Sequence, residues 1–223
     1  MSAPTAVDPS AATQHPAPLR MTYDEWLAWD HAGLSEWVNG EVIIHMPTKE
    51  EHQRVVDFLN RLLGLFVRAL RLGIVRSAPF AMRALPDGPG REPDLFFLAE
   101  DHKERLTRHE LAGPADLVIE VISDDSVARD RDEKFYEYQA AGVREYWIID
   151  PRPGRLRADF YVLDARGRYR AVPPDDDNIY HSTVLPGFWL DVEWLWRPDP
   201  NPLAALGRIV GVEQVMSVLQ DEV

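Results

Sequence analysis

Three residues of this chain have types and spacing that could do chemistry together. Asp94 follows Pro93 and opens the apolar run Asp94–Leu98 (DLFFL). Glu120 stands inside the most apolar stretch of the chain, Asp116–Ile122 (DLVIEVI), between Leu117, Val118, Ile119, Val121 and Ile122. A carboxylate in that company is costly to bury unless it is paired or binds metal. Two strands that each present one carboxylate could hold a hard divalent cation, Mg²⁺ or Mn²⁺, with the Val121 carbonyl as a third oxygen and water or phosphate completing the shell. Lys134 lies on the segment that follows, where it could position an attacking water or neutralise charge developing on a phosphate. Each residue also has a plain reading. Asp94 could cap a turn, Glu120 could pair with an arginine, and Lys134 could extend its ammonium to water. Together, in strand–strand–helix order, they point to metal-dependent cleavage of a phosphodiester.

The elements that must position these residues are legible in the apolar pattern. The runs 94–98 and 116–122 read as strands buried on both faces of a sheet, as does Glu145–Ile149 (EYWII). A helix is expected from about Ser126 to Ala141, ended by Gly142, with Val127, Lys134, Tyr138 and Ala141 on one inward face. Upstream, Thr22 and Glu25 form a capping box for a short helix to about Asp30. Trp37–His45 reads as a hairpin turning at Asn39-Gly40. A long amphipathic helix is expected from Thr48 to about Leu72, its apolar face made by Val55, Phe58, Leu59, Leu62, Leu63, Phe66 and Leu70, with Gly73 ending it. Further strands are expected at 74–76, 79–85, 157–163, 168–172, 181–185 and 188–192, and a helix over 202–220. The sum is an α/β fold with a mixed central sheet flanked by helices. Residues 1–20, rich in Pro and Ala, read as a disordered tail, 21–200 as one domain and 201–223 as a C-terminal helical segment.

Composition narrows the function. Cysteine is absent, which excludes disulfides and thiolate zinc sites. No apolar run is long enough to span a bilayer and no signal peptide opens the chain, so a soluble, cytoplasmic protein with no membrane partner is expected. The net charge of −13 argues against coating nucleic acid by electrostatics alone, though a carboxylate-built nuclease site is itself acidic before metal arrives. Only three basic residues are lysines (Lys49, Lys103, Lys134), so lysine at 134 is an uncommon choice.

The stretches SEWVNGEVIIHMP with EHQRVV (35–56), REPDLFFL (91–98), DLVIEVISDDS (116–126), RDEKFYEYQAAGVREYWIIDP (131–151) and LPGFWLDV (185–192) resemble the Uma-two family of restriction-endonuclease-like proteins, within the PD-(D/E)XK nuclease superfamily. The resemblance covers about residues 21–195. It implies a restriction-endonuclease-like fold, with Pro93-Asp94 as the first element and Glu120 as the acid of the second. The superfamily pattern places lysine two residues after that acid, where this chain has Ile122, and Lys134 is the candidate replacement from the next helix. Glu36 resembles the family acid before the Gly-containing hairpin, with Glu41 a close competitor. His52 resembles the histidine near the start of the long helix, where it could contact phosphate or order Glu36; its plain reading is a water-exposed histidine. The implied function is an endonuclease acting on DNA, with Asp94 and Glu120 on the metal. A homodimer is expected where both strands are cut.

Two rivals remain: a binding module of the same fold that no longer cleaves, and an interaction protein whose buried acids are ion pairs. Asp175, Asp176 and Asp177 read as a solvated loop, and Trp189, Trp194 and Trp196 as packing. His102 and His109 lack metal-ligand spacing.

Overall fold

Strands that are apolar on both faces need a cover on each side, and the computed structural model supplies both. It describes residues 18–31, 33–124 and 126–220. In chain order, β1 (Leu19–Arg20), α1 (Tyr23–Leu27), β2 (Ser35–Val38) and β3 (Glu41–Ile44) precede the long helix α2 (Glu50–Ala69). Next come β4 (Gly73–Ser77), β5 (Ala81–Arg83), β6 (Leu95–Ala99), a 3₁₀ turn (Glu100–Arg105), β7 (Glu110–Ala112) and β8 (Leu117–Val121). A π turn (Arg129–Glu133) leads into α3 (Lys134–Ala141), followed by β9 (Glu145–Asp150), β10 (Arg157–Leu163), β11 (Tyr169–Ala171), β12 (Ile179–His181) and β13 (Trp189–Asp191). A second 3₁₀ turn (Val192–Trp196) precedes α4 (Pro202–Val210) and α5 (Val212–Gln220).

The central sheet has six strands in the order β11-β10-β9-β8-β6-β4. Its one parallel pair, β8 with β9, is joined by the crossover through the π turn and α3. Period-two alternation sorts the side chains onto two faces. Leu95, Phe97, Leu117, Ile119, Val121, Trp147 and Ile149 pack against α2, α4 and the segment around Phe188 and Trp194. Phe96, Leu98, Val118, Ile122, Tyr146 and Ile148 pack with Tyr138 of α3. Glu120, between Val118 and Ile122, therefore belongs to the α3 face. On the other face, Leu59, Leu62 and Phe66 of α2 are fully buried, roughly 1.5–3 kcal/mol each. Packing holds α2 in place, since its N-cap Lys49 makes no side-chain capping bond.

Several expectations hold as drawn. The capping box of Thr22 and Glu25 is formed. Asn39 (φ 51°) and Gly40 (φ 86°) turn the β2–β3 hairpin. Trp194 is buried, and Trp189 and Trp196 pack on the α2-side core. The acidic run at 175–177 is exposed.

Other expectations are corrected. Leu19 and Arg20, assigned to the tail, pair with β3; the rest of that tail, 1–17, lies outside the described residues, as do 221–223 of the C-terminal segment. Helix α2 stops at Ala69 and turns at Arg71 (φ 53°) rather than at Gly73. Gly73 instead opens β4 at φ 146°, and a Cβ there would collide with the Leu98 carbonyl on the neighbouring strand. The 202–220 helix is broken at Gly211, whose φ of 86° and ψ of 152° leave the helical region. The strands expected at 181–185 and 188–192 lie instead at Ile179–His181 and Trp189–Asp191, paired antiparallel. The parallel pairing of β5 with β7 has no local sequence signal, because its partners are far apart in the chain.

Gly73 and Gly142 test the two reasons for glycine. Gly142 caps α3 at φ 84° with open space where a Cβ would sit, so Gly142→Ala is expected to cost about 1–2 kcal/mol from backbone strain alone. Gly73→Ala adds the collision and is expected to cost more than about 3 kcal/mol. Urea titration of both variants measures the difference.

Candidate functional site

The register of β6 on β8 pairs Leu95 with Ile119. Continued by one pair, it sets Asp94 opposite Glu120, which explains how two carboxylates distant in sequence come to one end of the sheet. Asp94 Oδ2 accepts the backbone N–H of Val121 at 2.7 Å and lies 3.3 Å from His52 Nε2 on α2. Glu120 Oε1 accepts from Lys134 Nζ at 2.8 Å and from the Tyr138 hydroxyl at 2.9 Å. Lys134 Nζ also reaches Glu36 Oε1 at 2.9 Å and Asp130 Oδ1 at 3.2 Å. One ammonium with three protons thus faces three carboxylates, and all four residues are buried.

Glu36 comes from β2, in the small sheet that precedes α2, and it has its own scaffold. Arg91 Nη1 donates to Glu36 Oε2 at 2.9 Å, while the rest of its fork binds both oxygens of Glu137 on α3 at 2.8 and 2.6 Å. His45 Nε2 lies 3.5 Å from Glu36 Oε2. Arg91 therefore ties the hairpin that carries Glu36 to the helix that carries Lys134.

The electrostatics follow from this crowding. Burial disfavours charge on Glu36, but Lys134, the nearby His45 and the Arg91 guanidinium outweigh it and hold Glu36 well below the usual carboxylate range. Glu120 is pushed up to about 8, first by burial, against the pull of Lys134, and then by the like charges of Asp130, Asp94 and Glu36. Lys134 stays charged: burial opposes it, but Glu120, Glu36 and Asp130 raise it well above its ordinary value. Glu92 is raised to about 7 by burial, opposed by the Ser35 N–H it accepts, with Glu36 adding to the rise. For His52, burial works against the charged ring, yet Asp94 prevails and raises it.

Two cavities meet here. An inner one of about 30 Å³, enough for a single water or ion, is lined by Asp94, Glu120, Val121, His52, Arg129 and Lys134, among others. It adjoins a surface groove of about 910 Å³ that shares His45, His52, Glu92 and Asp94 with it.

Protein contacts fall on one oxygen of each carboxylate, leaving Asp94 Oδ1 and Glu120 Oε2 without hydrogen-bond partners among the described residues. Two hard oxygens beside an ion-sized cavity, in surroundings with surplus negative charge, fit a divalent cation that takes its remaining ligands from water and substrate. No three His, Asp or Glu side chains among the described residues are grouped to hold a metal unaided. The backbone of Val121 meets His52, so its carbonyl also faces this corner.

A family model for Uma2, described as "Putative restriction endonuclease", matches residues 22–193. The chain belongs to the Uma2 family. Its structure is similar to the crystal structure of a "putative nuclease belonging to DUF820" from Anabaena variabilis ATCC 29413, with a TM-score of 0.62 and 16% identity over 79% of this chain and 97% of that one. The fold is thus restriction-endonuclease-like, a mixed sheet flanked by helices. Among curated proteins, none matches the chain. No helix among the described residues is long and apolar enough to cross a membrane.

In this Uma2 chain all the residues singled out in the sequence converge: Glu36, His52, Asp94, Glu120, Val121 and Lys134. Glu36, and not Glu41, reaches the cluster; Glu41 is half-exposed and paired with Arg20. His52 is buried against Asp94, which corrects its reading as a water-exposed residue. Ile122 is fully buried on the α3 face, two residues along the strand from Glu120. The helix that covers this face delivers Lys134 onto Glu120 from above.

The face expected on α3 is corrected in one respect. The π turn adds a residue to the helical repeat, so Asp130 shares the inward face with Lys134 and Tyr138, while Val127 and Ala141 are only half-buried. Asp130, Arg91, His45 and Arg129 went unread in the sequence, and Tyr138 was read only as an inward-facing residue of the helix. The pair Asp130 and Lys134, four residues apart, was the available signal.

Replacing Lys134 by Met should leave Glu120 and Asp130 buried without their cation and Glu36 with Arg91 alone, and a loss of roughly 3–5 kcal/mol at neutral pH is expected. Without the ammonium their folded-state pKa values rise above the unfolded ones. That stability is present at low pH and lost as pH rises through the folded value. The deficit against wild type should therefore shrink as pH falls from 8 toward 5, as read by denaturant titration at each pH.

Proposed function

We propose that the chain is a metal-dependent endonuclease that hydrolyses DNA phosphodiester bonds at the corner between Asp94, Glu120 and Lys134. The observation that carries this reading is the meeting of Asp94 and Glu120 in the wall of one small cavity, just beyond the last pair of β6 with β8, each with one uncommitted oxygen, beside an ammonium held by Glu36 and Asp130. Membership of a family described in nuclease terms supports it. Restriction-endonuclease-like families generally use divalent metal ions. Asp94 and Glu120, with the Val121 carbonyl, would hold Mg²⁺ or Mn²⁺. Such a cation, when bound, lowers the pKa of water and offsets charge on the phosphate.

The remaining roles belong to the side chains. Lys134 is kept protonated by its carboxylates and presents positive charge to the attacking water and the developing phosphate charge. Glu36 fixes Lys134 in place, with Arg91 behind it. His52 braces Asp94 from α2. One such site cuts one strand, so a homodimer would be needed to cut both.

A second reading is a module that binds nucleic acid without cutting it. It draws on the same geometry, because the Lys134 ammonium is already ion-paired with three carboxylates.

Supercoiled-plasmid nicking in Mg²⁺ and in Mn²⁺ tests the reading, with Asp94→Ala, Glu120→Ala and Lys134→Ala beside wild type. Nicking by wild type with losses of about 100-fold or more in each variant is expected. Asp94→Ala should also bind metal more weakly by titration calorimetry. Binding of DNA without nicking in either metal would shift the assignment to the binding module, and unaltered metal binding by Asp94→Ala would remove Asp94 from the metal site.

A further inference from the structure

We infer that Arg129 is the residue that grips the scissile phosphate, an assignment that rests on the nuclease reading above. Arg129 lines the inner cavity together with Asp94, Glu120 and Lys134. The other cations of the cluster are committed. Lys134 is spread over Glu36, Glu120 and Asp130, and Arg91 over Glu36 and Glu137. Arg129 is 86% buried by its side chain's 14% exposure, yet its Nε makes no hydrogen bond. Its Nη2 lies 3.1 Å from His45 Nδ1, and Glu36 Oε2 stands 3.7 Å from its Nε, beyond hydrogen-bond range and already taken by Arg91. A planar guanidinium in a cavity wall, with its Nε–H unfilled, matches the oxygens of a phosphodiester, a geometry that a lysine cannot copy.

The backbone explains how Arg129 arrives there. It is the first residue of the π turn, whose Lys134 N–H bonds the Arg129 carbonyl five residues back. That extra residue rotates the start of the helix relative to α3, so Arg129 and Asp130 both face the cavity that Lys134 enters. His45, from the end of the β2–β3 hairpin, sits between Glu36 and Arg129 and steadies the fork without neutralising it.

The groove sharpens the requirement. No lysine or arginine lines the groove of about 910 Å³ that leads to the site, and Glu92, Asp57 and Asp30 do. A strand entering it meets few cations before it reaches Arg129, so one residue carries an unusually large share of phosphate recognition.

The test uses the full chain with a fluorescein-labelled single-stranded DNA oligonucleotide and its duplex, by anisotropy in EDTA across a salt series, followed by nicking kinetics in Mg²⁺. Wild type, Arg129→Gln and Arg129→Lys are compared with Arg166→Gln, an exposed turn residue on the β10–β11 hairpin. Arg129→Gln should weaken binding by about 10- to 100-fold and raise KM more than it lowers kcat. It should also lower the slope of log affinity against log salt by about one phosphate contact, a readout that a structural role would not move. Arg129→Lys should keep the slope and lose part of the affinity; it carries the test if thermal melting shows Arg129→Gln unfolded. Unchanged affinity and slope in both Arg129 variants, with wild type active, overturn the assignment while leaving the nuclease intact. Absence of binding and nicking by wild type overturns the nuclease reading and this inference with it.

Discussion

A single buried ammonium organises one end of this molecule's central sheet. Lys134 is drawn into the interior by Glu36, Glu120 and Asp130, which come from three separate parts of the chain. Any one of those carboxylates would be expensive to bury alone, and so would the lysine. Each therefore depends on the others being in place, and the dependence locks β2, β8 and α3 into one arrangement. Arg91 extends the lock by bridging Glu36 to Glu137. The imbalance that remains, with more carboxylates than cations around Glu120, is the physical basis for reading this corner as a cation site.

The fold contains its own control for that reading. Glu145 is as deeply buried as Glu120 and lies on the adjacent strand. Its carboxylate accepts from Trp147, Tyr180, Ser182, Thr183 and Val184, all uncharged donors. That arrangement satisfies a buried carboxylate with uncharged donors on both oxygens, and it anchors the β12–β13 region to the sheet. Glu120 differs in having a single cationic partner, one hydroxyl, neighbours of its own sign and an adjoining cavity. Burial alone does not mark a reactive carboxylate; incomplete satisfaction beside open space does.

The π turn at Arg129–Glu133 has a comparable place in the design. A regular α-helix through this segment would carry Val127 toward the sheet, in step with Lys134. The five-residue backbone bond shifts that step, so that Arg129 and Asp130 line the cavity beside Lys134 while Val127, half-buried, still packs on the α3-side core. The Tyr146 hydroxyl donates to the Asp130 carbonyl and secures the irregular backbone from the sheet side. A local departure from helical regularity, held by a buried tyrosine, is how the short crossover reaches the site with more than one side chain.

Much of this was legible in the sequence. The doubly apolar runs at 94–98, 116–122 and 145–149 declared buried strands, and a carboxylate at 120 was conspicuous because nothing around it could hydrate it. The Asn39-Gly40 hairpin and the amphipathic face of α2 followed from local rules of turn geometry and helical period. Tertiary structure alone decided what lay beyond those local rules. Asp94 opposes Glu120 because of strand register, which depends on the pairing of segments some twenty residues apart. Glu36 and its competitor Glu41 lie on the same face of the β2–β3 hairpin, but Glu36 stands far enough from the turn to meet Arg91 and Lys134, whereas Glu41, beside the turn, pairs with Arg20 of β1. His52 left the solvent because α2 packs on the sheet edge where Asp94 ends. Arg91, Asp130 and Arg129 were invisible as site residues, since a charged side chain has no apolar period to reveal which way it points. Local free energies set the elements; the sharing of one ammonium among distant carboxylates, which no local window contains, set the site.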